Sequence, residues 1–159
     1  MLGIARYTDY AARLVLHLAC QKVDDAIPIA RIAEERLLPA PYVRRLVGKL
    51  VAAGILATER GATGGVKLAR LASDISLLDV VEAMEGEVVL NHCLKSGYGC
   101  PLSARCPVQT AWGKITDDTK ARMAAVRFDA LARGAKGHER AHRKSPSKGR
   151  RKARRRSSQ

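Results

Sequence analysis

Cys93, Cys100 and Cys106 put three of the chain's four cysteines within fourteen consecutive residues, in the stretch NHCLKSGYGCPLSARCP. Zinc knuckles place two thiolates about two to four residues apart, so that one tight turn aims both at the same ion. Here the gaps are six and five residues, and there is no second pair. The wider spacing suits a larger object, an iron–sulfur cluster, whose iron atoms are spread over several ångströms. Three thiolates leave one corner for a different ligand. Such a corner is open to small oxidants and to loss of iron, a liability in an electron carrier and a use in a sensor. Pro101 and Pro107 each follow a cysteine and stiffen the turns. The same thiols also admit buried structural cysteines, a redox disulfide or zinc. Cys20 lies on an apolar helical stretch and reads as small core filler. His92 adjoins Cys93 and reads as facing solvent. Enzyme chemistry finds no support: there is no C-x-x-C pair, and His17, His92, His138 and His142 form no recognisable triad or metal set.

Several elements must position that loop. The segment 8–21, TDYAARLVLHLACQ, sets Tyr10, Leu14 and Leu18 on one stripe with Ala11 and Val15 beside it, a helical spacing with Thr8 as the expected N-cap. Residues 27–54 read as two helices, about 29–36 and 41–53, joined at Pro39 and Pro41 and stopped by Gly54. In the second, Val43, Leu46, Val47 and Leu50 form the inner face, leaving Tyr42, Arg44, Arg45 and Lys49 outward. Two apolar runs, 55–58 and 66–69, flank a turn with three glycines and predict a hairpin. Ser76 and Asp79 sit at capping-box spacing before a short helix ending at Gly86. Over 110–133, Trp112, Ile115, Thr119, Met123, Val126 and Ala130 recur at steps of three or four, a narrow seam suited to packing along another helix.

The fold expected is mainly α: a winged helix-turn-helix with a small β-hairpin wing, plus a long C-terminal dimerisation helix. The division expected is 1–75 for the DNA-binding domain, 76–133 for the next helix, cysteine loop and dimerisation helix, and 134–159 for a basic tail. In this arrangement a stiff helix carries Tyr42, Arg44, Arg45 and Lys49 to the major groove, while Arg60 at the hairpin tip reaches the backbone or minor groove.

Charge agrees with a polyanionic partner. Net charge is +14, and eleven of the 29 Lys/Arg but one of the 15 Asp/Glu lie from Gly134 to Gln159. The tail therefore holds most of the excess and reads as low-complexity and disordered, either drawn to a polyanion such as nucleic acid or a solvated tail with no specific duty. A sequence-indifferent nucleic-acid coat driven by that tail is the competing reading. Asp9, Arg13 and His17 interrupt the apolar run near the start, so that run does not read as a signal-peptide core, and no stretch approaches a membrane span. The expectation is a cytoplasmic protein with no membrane partner.

The phrases YTDYAARLVLHLA, ERGATGGVKLAR and ISLLDVVEAMEG, with the three-cysteine loop followed by AW, resemble the Rrf-type winged-helix transcriptional regulators, the IscR-, NsrR- and RirA-like iron–sulfur proteins. The resemblance runs from about Arg6 to Arg133. It implies a homodimer on double-stranded operator DNA, a repressor holding one cluster per subunit, with cluster state setting DNA affinity in response to nitric oxide, iron or redox state. By position Cys93, Cys100 and Cys106 match the cluster cysteines. IscR-like proteins place a histidine three residues after the last cysteine, where this chain has Gln109. NsrR-like proteins use an aspartate at the start of the first helix, from the other subunit, and Asp9 occupies that place. Three thiolates and one oxygen ligand suit a 4Fe-4S cluster better than a 2Fe-2S one. The alternative is a cluster-free or zinc-bound winged-helix regulator that uses the cysteines as a thiol switch.

Overall fold

A computed structural model describes residues 3–21, 26–36, 38–61 and 64–135. Helix α1 is Arg6–Ala19, α2 is Ile29–Glu35 and α3 is Ala40–Ala52. The wing is β1, Leu56–Glu59, antiparallel to β2, Gly65–Leu68, with Leu56 opposite Leu68 and Glu59 opposite Gly65. Helix α4, Leu77–Glu85, precedes the cysteine loop, and α5, Pro107–Ala125, follows it. A further helical segment occupies 128–135. The expected mainly helical winged fold is what the chain adopts. No described helix is long and apolar enough to cross a membrane.

The local signals for α3, the wing and α4 act as expected. Pro41 sits in the first turn of α3, where a missing N–H costs nothing. Val43, Leu46, Val47 and Leu50 are all buried. Gly54 takes φ +67°, the left-handed conformation that ends a helix, and the Ile55 N–H donates to the Leu50 carbonyl at 2.9 Å. Ser76 caps α4: its hydroxyl accepts from the Asp79 N–H at 3.1 Å, and the Asp79 carboxylate accepts the Ser76 N–H at 2.7 Å. Partial burial opposes the charge on Asp79. The Ser76 N–H and hydroxyl outweigh it, helped by Arg70, and hold the carboxyl below its ordinary range. In the wing, Gly65 is required by contact. A Cβ there would lie 2.3 Å from the Ile27 carbonyl, because Ile27 and Val66 exchange backbone hydrogen bonds of 2.9 Å. The segment before α2 is thereby stitched to the wing.

Two expectations fail. Thr8 is not the cap of α1. The helix begins at Arg6, and Thr8 is buried in its first turn, its hydroxyl donating to Glu85 Oε1 at 2.7 Å. The same oxygen accepts the Ala5 N–H at 3.0 Å. A carboxylate from the far end of α4 therefore does the capping, where the positive end of the α1 dipole favours it. The second failure is the continuous seam over 110–133. α5 starts earlier than expected and stops at Ala125; Val126 is extended (φ −83°, ψ 103°). The Leu77 N–H donates to the Val126 carbonyl and the Phe128 N–H to the Ile75 carbonyl, at 2.9 and 3.0 Å. Val126 and Ala130 thus leave the α5 stripe, because Phe128 is drawn into the core beside Ile75 and Val80, 1% exposed. The burial of the largest side chain there outweighs one more helical turn.

His17 is 2% exposed between α1 and α2. Arg36 Nε donates to its Nδ1 at 2.8 Å, which leaves Nε2 as the protonated nitrogen, facing Glu35 Oε2 at 3.5 Å. Burial lowers the His17 pKa below 6.5, and the Arg36 charge lowers it further against the pull of Glu35. A folded-state pKa below the unfolded value means the neutral ring stabilises the fold above about pH 6.5, and that support is lost as pH falls through the folded value. The urea midpoint is therefore expected to be flat from pH 8 to 7 and to fall on acidification below 6.5, before the carboxylates titrate. His17→Gln should blunt that fall; an unchanged profile would mean that His17 does not carry it.

Candidate nucleic-acid interface and cysteine loop

The outer face of α3 presents Tyr42, Arg44 and Arg45, all exposed. Among the described residues neither guanidinium has a hydrogen bond or ion pair, so both fork-shaped donors are free for a ligand. Tyr42 meets Tyr10 of α1 edge-on, ring centroids 6.4 Å apart at 85°, which holds its ring in place at the start of the helix. Arg60 follows β1 directly, exposed at the hairpin turn, beside Gly61 at φ +127°. On the wing itself Lys67 pairs with Glu59 at 2.6 Å.

Lys49 is placed differently. Its ammonium donates to the Met84 carbonyl of α4 at 2.9 Å and lies 5.2 Å from the Tyr7 ring centroid. It stands one turn after Arg45 and is exposed like it, but its ammonium is already engaged by α4 and α1. Nothing in the local sequence marks it, since its partners lie 42 and 35 residues away.

Residues 87–106 carry the cysteines between α4 and α5. Two 3-10 turns, His92–Leu94 and Ser103–Arg105, shape the segment. Cys93, Cys100 and Cys106 are free thiols, each half-buried. Cys106 is the N-cap of α5, its sulfur accepting the Gln109 N–H at 3.4 Å. The Gln109 amide donates to the Cys93 carbonyl at 2.9 Å. The loop's first and last cysteines are thus both tied to the first turn of α5 by Gln109, which stands three residues after the last cysteine, where IscR-like proteins place a histidine. The Leu90 N–H donates to the buried Thr116 hydroxyl at 3.4 Å, a second tie to the same helix.

The donor set fits an iron–sulfur cluster in kind: three free thiols on one short loop. Among the described residues, no three His, Cys, Asp or Glu side chains are gathered around a single ion position. Asp9 lies in the first turn of α1, exposed and ion-paired with Arg13 at 2.9 Å.

A winged helix whose α3 carries two free arginines, joined through a three-thiol segment to a long helix, has the architecture of a DNA-binding protein. Comparison with known proteins places it further. Residues 4–134 match the model of the Rrf2 family, described as an iron-dependent transcriptional regulator. The chain belongs to the Rrf2 family of transcriptional regulators, a family of DNA-binding proteins and not of enzymes. It is similar to the HTH-type transcriptional regulator NsrR of Oceanobacillus iheyensis, 29% identical over 68% of this chain and 74% of that protein. Among solved structures it is similar to the oxidised form of Staphylococcus aureus CymR, with TM-score 0.63, 28% identity and coverage of 82% and 96%. It is also similar to T. potens IscR, with TM-score 0.63, 25% identity and coverage of 88% and 90%.

Proposed function

We propose that this regulator is a homodimeric repressor whose operator affinity is controlled by an iron–sulfur cluster held by Cys93, Cys100 and Cys106, with Asp9 of the partner subunit as the fourth ligand. One observation carries the reading: the three free thiols sit on the single segment that joins the winged helix to α5, tied to α5 by Gln109 and Thr116. A change at those sulfurs acts on the join between reading head and assembly helix. When bound, a 4Fe-4S cluster would supply an iron centre open at one corner to nitric oxide, oxidant or iron loss. The iron-dependent description of the family supports the same reading. For the dimer, α5 offers a stripe that is uncovered among the described residues: Val108 is 61% and Ile115 48% exposed, one heptad apart, with half-buried Trp112 between them. A second α5 covers that stripe and sets two recognition helices one DNA turn apart, roughly 34 Å. The basic tail lies, apart from Gly134 and Ala135, outside the described residues; its charge suits contact with the phosphate backbone.

The thiol-switch reading is kept for a specific reason: no three ligand side chains converge among the described residues, and a similar protein has been seen in an oxidised form. One experiment separates the two. Protein purified without oxygen is expected to be brown and to contain iron and acid-labile sulfide. Its affinity for a duplex selected in vitro should differ about 5–150-fold from that of Cys100→Ala. Colourless protein free of iron and sulfide, whose affinity responds instead to diamide and dithiothreitol, would establish the thiol switch. Equal affinities under every condition would remove both.

A further inference from the structure

Helices α1, α3 and α4 meet at a junction outside the interface and the thiols. Helix α4 ends at Glu85, so the Met84 carbonyl has no partner within its own helix. It accepts two donors from outside: the Tyr7 hydroxyl of α1 at 2.6 Å and the Lys49 ammonium of α3 at 2.9 Å. The ammonium also contacts the Tyr7 hydroxyl at 3.4 Å and lies 5.2 Å from the centroid of that ring. A cation here complements the negative end of the α4 dipole, as Glu85 complements the positive end of α1. Glu85 itself holds the Ala5 N–H and the Thr8 hydroxyl. Two residues beyond Met84 the chain turns at Gly86, φ +87°, and enters the cysteine segment.

One carbonyl therefore joins the recognition helix, the helix that bears Asp9 and the root of the thiol loop. Arg44 and Arg45 lie one turn before Lys49 on the same stiff helix. A shift at the end of α4 that moves the Met84 carbonyl changes the hydrogen bond that Lys49 gives it.

We propose that Lys49 is a positioning residue, a latch that passes the state of the cysteine loop through the Met84 carbonyl to the recognition helix, and that it does not hold a phosphate. The proposal rests on the reading that the loop cysteines control operator affinity.

The test is a double-mutant cycle on full-length protein, with the duplex selected in vitro as probe. Affinity is measured without oxygen for the intact loop and for the Cys93→Ser, Cys100→Ser, Cys106→Ser triple variant, each with Lys49, Lys49→Met or Lys49→Arg. With Lys49 the two loop states are expected to differ about 5–150-fold. With Lys49→Met the ratio should collapse to within about 3-fold of unity, and Lys49→Arg, whose guanidinium also reaches a carbonyl, should restore most of it. The slope of log affinity against log salt should not change. If Lys49→Met keeps the full ratio, the latch is overturned while the cysteine reading stands. A uniform loss of affinity in both loop states, with the slope reduced by about 0.9, would make Lys49 a phosphate contact and also overturn it. A merely structural role lowers the melting temperature and both affinities together, leaving the ratio intact, and overturns it too. If the Lys49 protein shows no ratio at all, the cysteine reading fails and the latch with it.

Discussion

Phe128→Ala is expected to cost about 3–5 kcal/mol of folding stability, the range for truncating a fully buried phenylalanine. That is a large part of the roughly 5–15 kcal/mol that holds a domain of this size. The chain has a single phenylalanine, and it is 1% exposed among aliphatic neighbours of the winged helix. Alanine would leave a void lined by side chains such as Ile75 and Val80 that meet in this core. The loss should exceed simple transfer, because Phe128 also anchors the chain after α5. The Phe128 N–H to the Ile75 carbonyl, the Leu77 N–H to the Val126 carbonyl and the Asp129 N–H to the Ala72 carbonyl all lie within a few residues of it. Urea unfolding followed by circular dichroism checks the expectation: the midpoint should drop markedly with the slope retained. Phe128→Leu, which fills most of the space, should lose much less. A midpoint equal to that of the unaltered protein would mean that the return of the chain to this core contributes nothing.

The second large effect belongs to Arg44 and Arg45. Replacing both by alanine is expected to cost about 2–6 kcal/mol of discrimination between a selected duplex and random DNA, since a well-placed bidentate arginine contributes about 1–3 kcal/mol. The guanidiniums are exposed and have no partner among the described residues, so the free protein loses no internal contact on their removal. Stability should stay within about 0.5 kcal/mol, as for other surface substitutions. Arg44→Lys and Arg45→Lys should fall between, because lysine keeps the charge but not the planar fork. Binding measured at one fixed salt concentration, with and without random competitor, reads the effect. If affinity for both duplexes falls equally, the arginines touch phosphate and the bases are read by other side chains.

Much of the positioning frame was readable from short-range pattern. The apolar spacing of α3, the proline in its first turn and the glycine after it are all signals within one or two turns of the residues they organise. The capping box of α4 is of the same kind, and so is the glycine-rich wing turn. The three thiols were conspicuous by spacing alone. Interactions between distant segments left no such trace. Glu85 caps α1 from about eighty positions away, and Lys49 finds its acceptor on another helix. The seam over 110–133 breaks for the same reason: periodicity continues through Val126, while the backbone there answers to Ile75 and Leu77.

The order of residues alone determined which stretches coil, the bounds of α3 and α4, and that thiols and arginines occupy separate parts of the chain, because propensity, capping and apolar period act over a few neighbours. Assembly in three dimensions settled which carbonyls lacked donors and which charges reached them. It turned an outward lysine into a tie between helices and Gln109 into a clasp across the cysteine loop. Those outcomes depend on groups far apart in the chain meeting at hydrogen-bond distance, which is a property of the packed helices and not of any short stretch.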